Sequence, residues 1–69
     1  MLRNLKAEMV RHGVTVDDIY PVIEKTKRTA AYKIDGKYDF TMPEAITIRN
    51  KFFPGMTLEY LFAQNPIDE

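Results

Sequence analysis

The chain has 69 residues, ten lysines and arginines offset by ten aspartates and glutamates, one histidine, no cysteine, and 45% apolar residues. A chain of that size buries only about 60% of its unfolded surface, so it makes one domain with a small core. Its apolar content argues against compositional disorder, and the missing cysteines exclude disulfides and thiolate metal sites. The longest apolar run, Ile19 to Ile23, is five residues with a proline inside, against the roughly 20 that span a bilayer. The opening Met1-Leu2-Arg3-Asn4-Leu5-Lys6 carries charges where a secretion signal is apolar, so the expectation is a cytoplasmic protein. No period repeats and no stretch is of low complexity.

Leu2, Leu5 and Met9 recur at helical spacing and predict a helix from about Leu2 to His12, stopped by Gly13. His12, the single histidine, sits in the last turn, where a cation is favoured; that place marks an exposed helix end rather than a catalytic base. Thr15-Val16-Asp17-Asp18 is a second start, a hydroxyl for the first orphan amides followed by two carboxylates at the positive end of the dipole. Adjacent residues on a helix do not face one another, so Asp17 and Asp18 do not make an acid/base or metal pair. Ile19 and Ile23 form the inward stripe. Pro21 lacks an amide and crowds the preceding turn, at a cost of about 3 kcal/mol, so a short or distorted helix ending near Ile23 is expected.

The next stretch, Thr26 to Gly36, organises the rest. From Lys25 to Lys37, Lys25, Lys27, Arg28, Lys33 and Lys37 stand against Asp35 alone, so a chain without net charge gathers four positive charges here. A helix of about ten residues is too short to stand alone in water, and the remaining elements must hold it with its charged face outside. Lys37-Tyr38-Asp39-Phe40 is a loop, with Phe40 folding back onto the core. Thr41-Met42-Pro43-Glu44 matches a capping box with proline in the first turn. It opens a fourth helix from Met42 to about Phe53 that buries Ala45, Ile46, Ile48 and Phe52, and Pro54-Gly55 ends it. Thr57 caps a short helix from Leu58 to Phe62. The tail, Gln64 to Glu69, is expected to fray. Phe52, Phe53, Tyr60 and Phe62 fit a core better than a binding groove. Short helices with tight connections predict one compact all-α, five-helix domain over residues 1–63.

From Thr15 to Lys37 the sequence resembles the helix-turn-helix of the phage Cro and C repressor superfamily, also called the xenobiotic-response-element family. The matching features are Thr15-Val16-Asp17-Asp18, the pair Ile19 and Ile23, Thr26-Lys27-Arg28 with Thr29, and Lys33-Ile34-Asp35-Gly36-Lys37. Asp39-Phe40-Thr41, Glu44-Ala45, Ile48-Arg49, Phe52-Phe53-Pro54 and Leu58-Glu59-Tyr60-Leu61-Phe62 look like small phage regulators of that superfamily. The resemblance implies a lambda-repressor-like five-helix fold whose second and third helices, about residues 16–35, bind double-stranded DNA. The third lies in the major groove, and such proteins bind as homodimers to half-sites about one helical turn apart. It implies DNA-binding roles for Lys27 and Arg28 at base edges, with arginine matching guanine O6 and N7. Thr26 caps the helix or bonds a phosphate, Ala31 touches a thymine methyl, and Tyr32 stacks or bonds the backbone. Lys25, Lys33 and Lys37 neutralise phosphates. The chain departs from the family pattern where Tyr20 replaces a small alanine, Glu24 the turn glycine and Lys25 the apolar residue after it, and where Pro21 enters the second helix. Ala30 stands where valine or isoleucine is usual and leaves room for Tyr20.

Two functions follow as expectations: a sequence-specific DNA-binding regulator, most simply a phage or prophage Cro-type repressor, or a protein-interaction module on the same fold, using the surface from Tyr20 to Lys25 or the C-terminal aromatics. A catalytic constellation, a metal site and a cofactor are not expected, since one histidine, no cysteine and no phosphate-cradling glycine loop supply none. The small core, with Phe53, Leu58, Leu61 and Phe62 near the C-terminus, predicts a two-fold contact there.

Overall fold

The computed structural model describes residues 2–63; the expected frayed tail, Gln64 to Glu69, lies outside the described residues. Among the described residues every regular element is a helix: α1 Arg3–His12, α2 Val16–Val22, α3 Lys27–Asp35, α4 Met42–Phe52 and α5 Leu58–Leu61. The architecture is all-α, and no described helix is long and apolar enough to cross a membrane.

Four of the helices begin on a threonine. Thr26 Oγ1 accepts the Thr29 amide at 3.1 Å and Thr57 Oγ1 accepts the Tyr60 amide at 3.1 Å. At α4 the box is reciprocal: Thr41 Oγ1 accepts the Glu44 amide at 3.3 Å, and Glu44 Oε1 accepts the Thr41 amide at 3.0 Å. At α2, Asp18 Oδ2 accepts the Thr15 amide at 2.9 Å. Each cap satisfies amides that a helix leaves unpaired, at about 1 kcal/mol apiece.

The ends of α1, α2 and α3 share one geometry. In each, the amide of the residue just after the corner of the turn returns to a carbonyl five residues back: Val14 to Met9 at 2.8 Å, Lys25 to Tyr20 at 3.2 Å, Lys37 to Tyr32 at 2.9 Å. The shorter bond of the same motif is also made, by Gly13 to Val10, Glu24 to Pro21 and Gly36 to Lys33. The motif needs a left-handed residue at its corner, and Gly13 (φ 69°) and Gly36 (φ 88°) supply it for α1 and α3. At α2 the corner is Glu24, with φ 59°, a conformation its Cβ opposes. Pro21 lies inside α2, as expected from the short helix. The carbonyl that loses its partner is that of Asp17, an exposed residue open to solvent.

The core gathers one stripe from each helix: Leu5 and Met9 from α1, Ile19 and the α2 cap Ile23, Ala30 and Ile34 from α3, Ile48 from α4, Leu61 from α5, with Phe53 closing α4 at 1% exposure. α2 packs on α3 and α4, while α5 bridges α1 and α4. Phe40 packs against this core from its loop, edge-on to Phe62 at 5.2 Å. Ile46, expected inside, is 37% exposed. It stands two residues from the fully buried Ile48, about 200° round the helix, so one of the two must face water. Phe52 is only half-buried.

Replacing Glu24 with glycine removes the left-handed strain while giving the unfolded chain more freedom. The expected net result is a gain of about 0.5–1 kcal/mol, read as a higher urea midpoint at unchanged slope. A lower midpoint means that the Glu24 side chain makes a contact worth more than the strain.

Candidate nucleic-acid interface

At about 100° per residue, α3 turns Ala30, Lys33 and Ile34 toward the core and Arg28 and Tyr32 away from it. Lys27 begins the outer face and Ala31 flanks it. Around this stripe Lys25, Lys27, Arg28 and Lys37 are exposed. The cap residue Thr26 has its hydroxyl committed: it accepts the Thr29 amide and donates to Thr29 Oγ1 at 3.1 Å. Of its two expected roles it holds the capping one. Ala31 is half-buried and lines a recess of about 290 Å³ with Val10, Val14, Val16 and Ile34. Its methyl therefore sits at the margin of the outer face.

Tyr32 is the centre of a cation-aromatic cluster. Arg28 Nε donates to the Tyr32 hydroxyl at 3.1 Å, and the guanidinium carbon lies 5.5 Å from the ring centroid. Lys37 Nζ stands 4.9 Å from the same centroid, and Tyr38 meets the ring edge-on at 5.6 Å. The α3 terminus brings these residues together, because the Lys37 and Tyr38 amides both return to the Tyr32 carbonyl, at 2.9 and 3.4 Å. The sequence places Tyr38 only in a loop. Its signal was the glycine at position 36, since a left-handed corner folds the next two residues back over the last turn.

Lys33 does not belong to this surface. It was expected to neutralise phosphates, but it is 7% exposed, and its ammonium donates to Glu44 Oε1 at 2.8 Å and to the Asp39 carbonyl at 3.2 Å. Lying about 60° from the core residue Ala30 on the helix, it points inward. Burial alone would raise the Glu44 carboxyl. The bond from Lys33, the Thr41 amide and the Lys33 charge outweigh burial and hold it below its ordinary value.

Acids also temper the remaining charges. Lys27 Nζ pairs with Asp17 Oδ1 at 3.0 Å, both well exposed, a pair worth at most about 1 kcal/mol and easily exchanged for another anion. Lys6 pairs with Asp35 at 2.7 Å, which holds the Asp35 carboxyl below its ordinary value. Glu24 is exposed beside Lys25. Of the five bases between Lys25 and Lys37, Lys33 is internal and Lys27 is held by an acid, so Lys25, Arg28 and Lys37 supply most of the outward positive field.

A second polar cluster lies beneath α5. Glu8, 2% exposed, accepts the Tyr60 hydroxyl and an Arg11 Nη1 bond at its Oε2, both at 2.7 Å, while His12 Nε2 stands 3.5 Å from Oε1. The Tyr60 bond, against burial and with the charges of Arg11 and His12, holds the Glu8 carboxyl below its ordinary value. The same bond raises the Tyr60 hydroxyl. So biased, the carboxylate is a weak base and the phenol a weak acid; the cluster ties α5 to α1, helped by Asn4 Nδ2 donating to the Tyr60 carbonyl at 2.8 Å. Tyr60, expected among the core aromatics, is 40% exposed and anchored by its hydroxyl. Nothing local in the sequence marked Glu8, whose partner lies 52 residues away. His12 is exposed at its helix end, edge-on to Phe53 at 5.4 Å. Leu61 and Phe53 are 0% and 1% exposed, so neither offers the two-fold contact expected of it; Leu58 and Phe62, half-buried, line a recess of about 580 Å³ with Phe40, Met42 and Ala45.

Lys33→Ala leaves Glu44 buried without its cation and is expected to cost about 3 kcal/mol or more in denaturant unfolding. The pH dependence has a definite sign. Glu8, Asp35 and Glu44 all have folded values below their unfolded ones. Their stabilisation is therefore complete above about pH 5 and lost as pH falls through the depressed folded values. Urea midpoints followed from about pH 7 down to 2 are expected to hold to about pH 5 and then fall through and below the ordinary carboxylate range. The chain matches no protein-family model, no curated protein and no solved structure.

Proposed function

We propose that the chain is a sequence-specific DNA-binding regulator of the Cro-like repressor type, with α2 and α3 forming a helix-turn-helix and α3 entering the major groove. The observation that carries this reading is the outer face of α3. One short helix, fixed on its inner side to α2 and to the α4 start, presents Arg28 and Tyr32 outward between the exposed Lys25 and Lys37. A helix about 10–12 Å across fits a groove about 12 Å wide. Glu24 supports the same reading, because it keeps a left-handed corner at the position where the family has its turn glycine.

On this reading Arg28 reads base edges with Lys27 beside it, Lys25 and Lys37 bind phosphates, and Thr26 fixes the helix start. Two copies bind paired half-sites. Leu58, Phe62, Phe40 and the 63%-exposed Met42 offer the apolar two-fold contact. The competing reading, a protein-interaction module using the Tyr20 to Lys25 surface, rests on the acids Asp17 and Glu24, which oppose phosphate approach.

Selection of bound fragments from random duplex DNA, followed by gel retardation across a salt series, tests the proposal. Affinity is expected to fall steeply with salt as counterions are released. Arg28→Ala is expected to lose about 1–3 kcal/mol on the selected site and much less on unrelated DNA. Lys25→Ala is expected to weaken binding to all sequences alike and to lower the salt slope by about one. Asp17→Asn acts oppositely: it frees Lys27, tightens binding to every duplex and steepens the slope by up to about one. Failure of the protein to retard any duplex, with capture of a protein partner that Tyr20 or Glu24 substitutions abolish, makes it the interaction module instead. Sedimentation with and without the selected duplex checks the pairing; a monomer in both removes the paired half-sites.

A further inference from the structure

We infer that Tyr32 is a positioning residue: its hydroxyl and ring fix the Arg28 guanidinium so that both terminal amino groups face outward toward the O6 and N7 acceptors of a guanine. The inference rests on the DNA-binding reading and goes further by naming the residue that orients the arginine toward its base. Arg28 Nε donates to the Tyr32 hydroxyl at 3.1 Å. With Nε so used, the guanidinium meets a ligand end-on, through Nη1 and Nη2, the spacing that guanine presents in the major groove. An exposed arginine otherwise samples many rotamers and loses that freedom on binding; holding it beforehand removes part of the loss.

Tyr32 is itself held. Lys37 covers its ring at 4.9 Å, Tyr38 abuts it edge-on at 5.6 Å, and both approach because their amides bond the Tyr32 carbonyl. The core does not require this arrangement. Arg28, Lys37 and Tyr38 are exposed, Tyr38 at 54%, and the Tyr32 hydroxyl accepts from Arg28 rather than from the interior. Its order thus serves the outer face.

Tyr32→Phe keeps the ring and deletes the acceptor. On the selected duplex it is expected to lower affinity roughly three- to tenfold, the range of one hydrogen bond, with non-specific affinity, salt slope and thermal melting unchanged. In an Arg28→Ala background the same substitution is expected to have no further effect. Placing 7-deazaguanine in the selected site removes the N7 acceptor; the unsubstituted protein is expected to lose affinity there and the Phe variant to lose less. In the free protein, ¹⁵N relaxation is expected to show Arg28 Nε ordered, and mobile once Tyr32 is Phe. Retardation of no duplex by the unsubstituted protein sinks the DNA-binding reading and this inference with it. Salt-dependent binding that Tyr32→Phe leaves unchanged, or weakens equally with and without Arg28, overturns the positioning role alone, as does a mobile Arg28 Nε in the unsubstituted protein.

Discussion

One oxygen atom, Oε1 of Glu44, joins three parts of the molecule. It accepts the Thr41 amide that starts α4 and the Lys33 ammonium that leaves the inner side of α3, and Lys33 in turn bonds the Asp39 carbonyl in the connecting loop. Removing two charges from water is costly, so such a pair contributes less net stability than its 2.8 Å length suggests. Its effect is on geometry. A capping box fixes only how a chain enters its own helix; a capping box whose carboxylate also binds a lysine of another helix fixes the two helices relative to each other. With α3 pinned to the α4 start, the loop from Lys37 to Phe40 has a set path. Lys37 and Tyr38 then fall back over Tyr32, and Phe40 packs edge-on against Phe62.

What was legible in the sequence was local. The threonine starts, the glycine stops at positions 13 and 36 and the stripe Ile19, Ile23 each involve residues within one or two turns, and the elements stand where those signals put them. Lys33 was misplaced because a lysine in a helical segment looks the same whether its partner is water or a buried carboxylate; only its position beside Ala30 on the helix pointed inward. Ile46 was misplaced for the converse reason, since hydrophobicity alone cannot choose between two isoleucines on opposite sides of one helix. Glu8 was invisible. Its hydroxyl partner comes from Tyr60 in α5, and a contact between distant segments leaves no periodic mark.

The departures from the Cro-like pattern that the sequence resembles occur together. Ala30 is fully buried, while Tyr20 is half-buried against the core, so a small residue on α3 accompanies a large one on α2. Glu24 keeps a corner that glycine takes more readily. The backbone bonds of that corner, Lys25 to Tyr20 and Glu24 to Pro21, are those made at Gly13 and Gly36. The main chain thus keeps the turn with glutamate at its corner, held between the buried Ile19 and Ile23 on one side and Ala30 on the other.

Charge sets what kind of DNA binding is physically reasonable. Five bases against one acid between Lys25 and Lys37 suggest strong, indiscriminate attraction to phosphate. The folded arrangement removes Lys33 to the interior, puts Asp17 on Lys27 and leaves Glu24 exposed nearby. On the DNA-binding reading proposed above, the non-specific term, which grows with every phosphate neutralised, is expected to be correspondingly small. A discriminating contact is not reduced in the same way, because it depends on the direction of a guanidinium rather than on the summed field. On that reading, a face with few outward cations and one arginine bonded to a neighbouring tyrosine would favour the ratio of specific to non-specific affinity over affinity itself. That ratio is what lets a small regulator find one site among many.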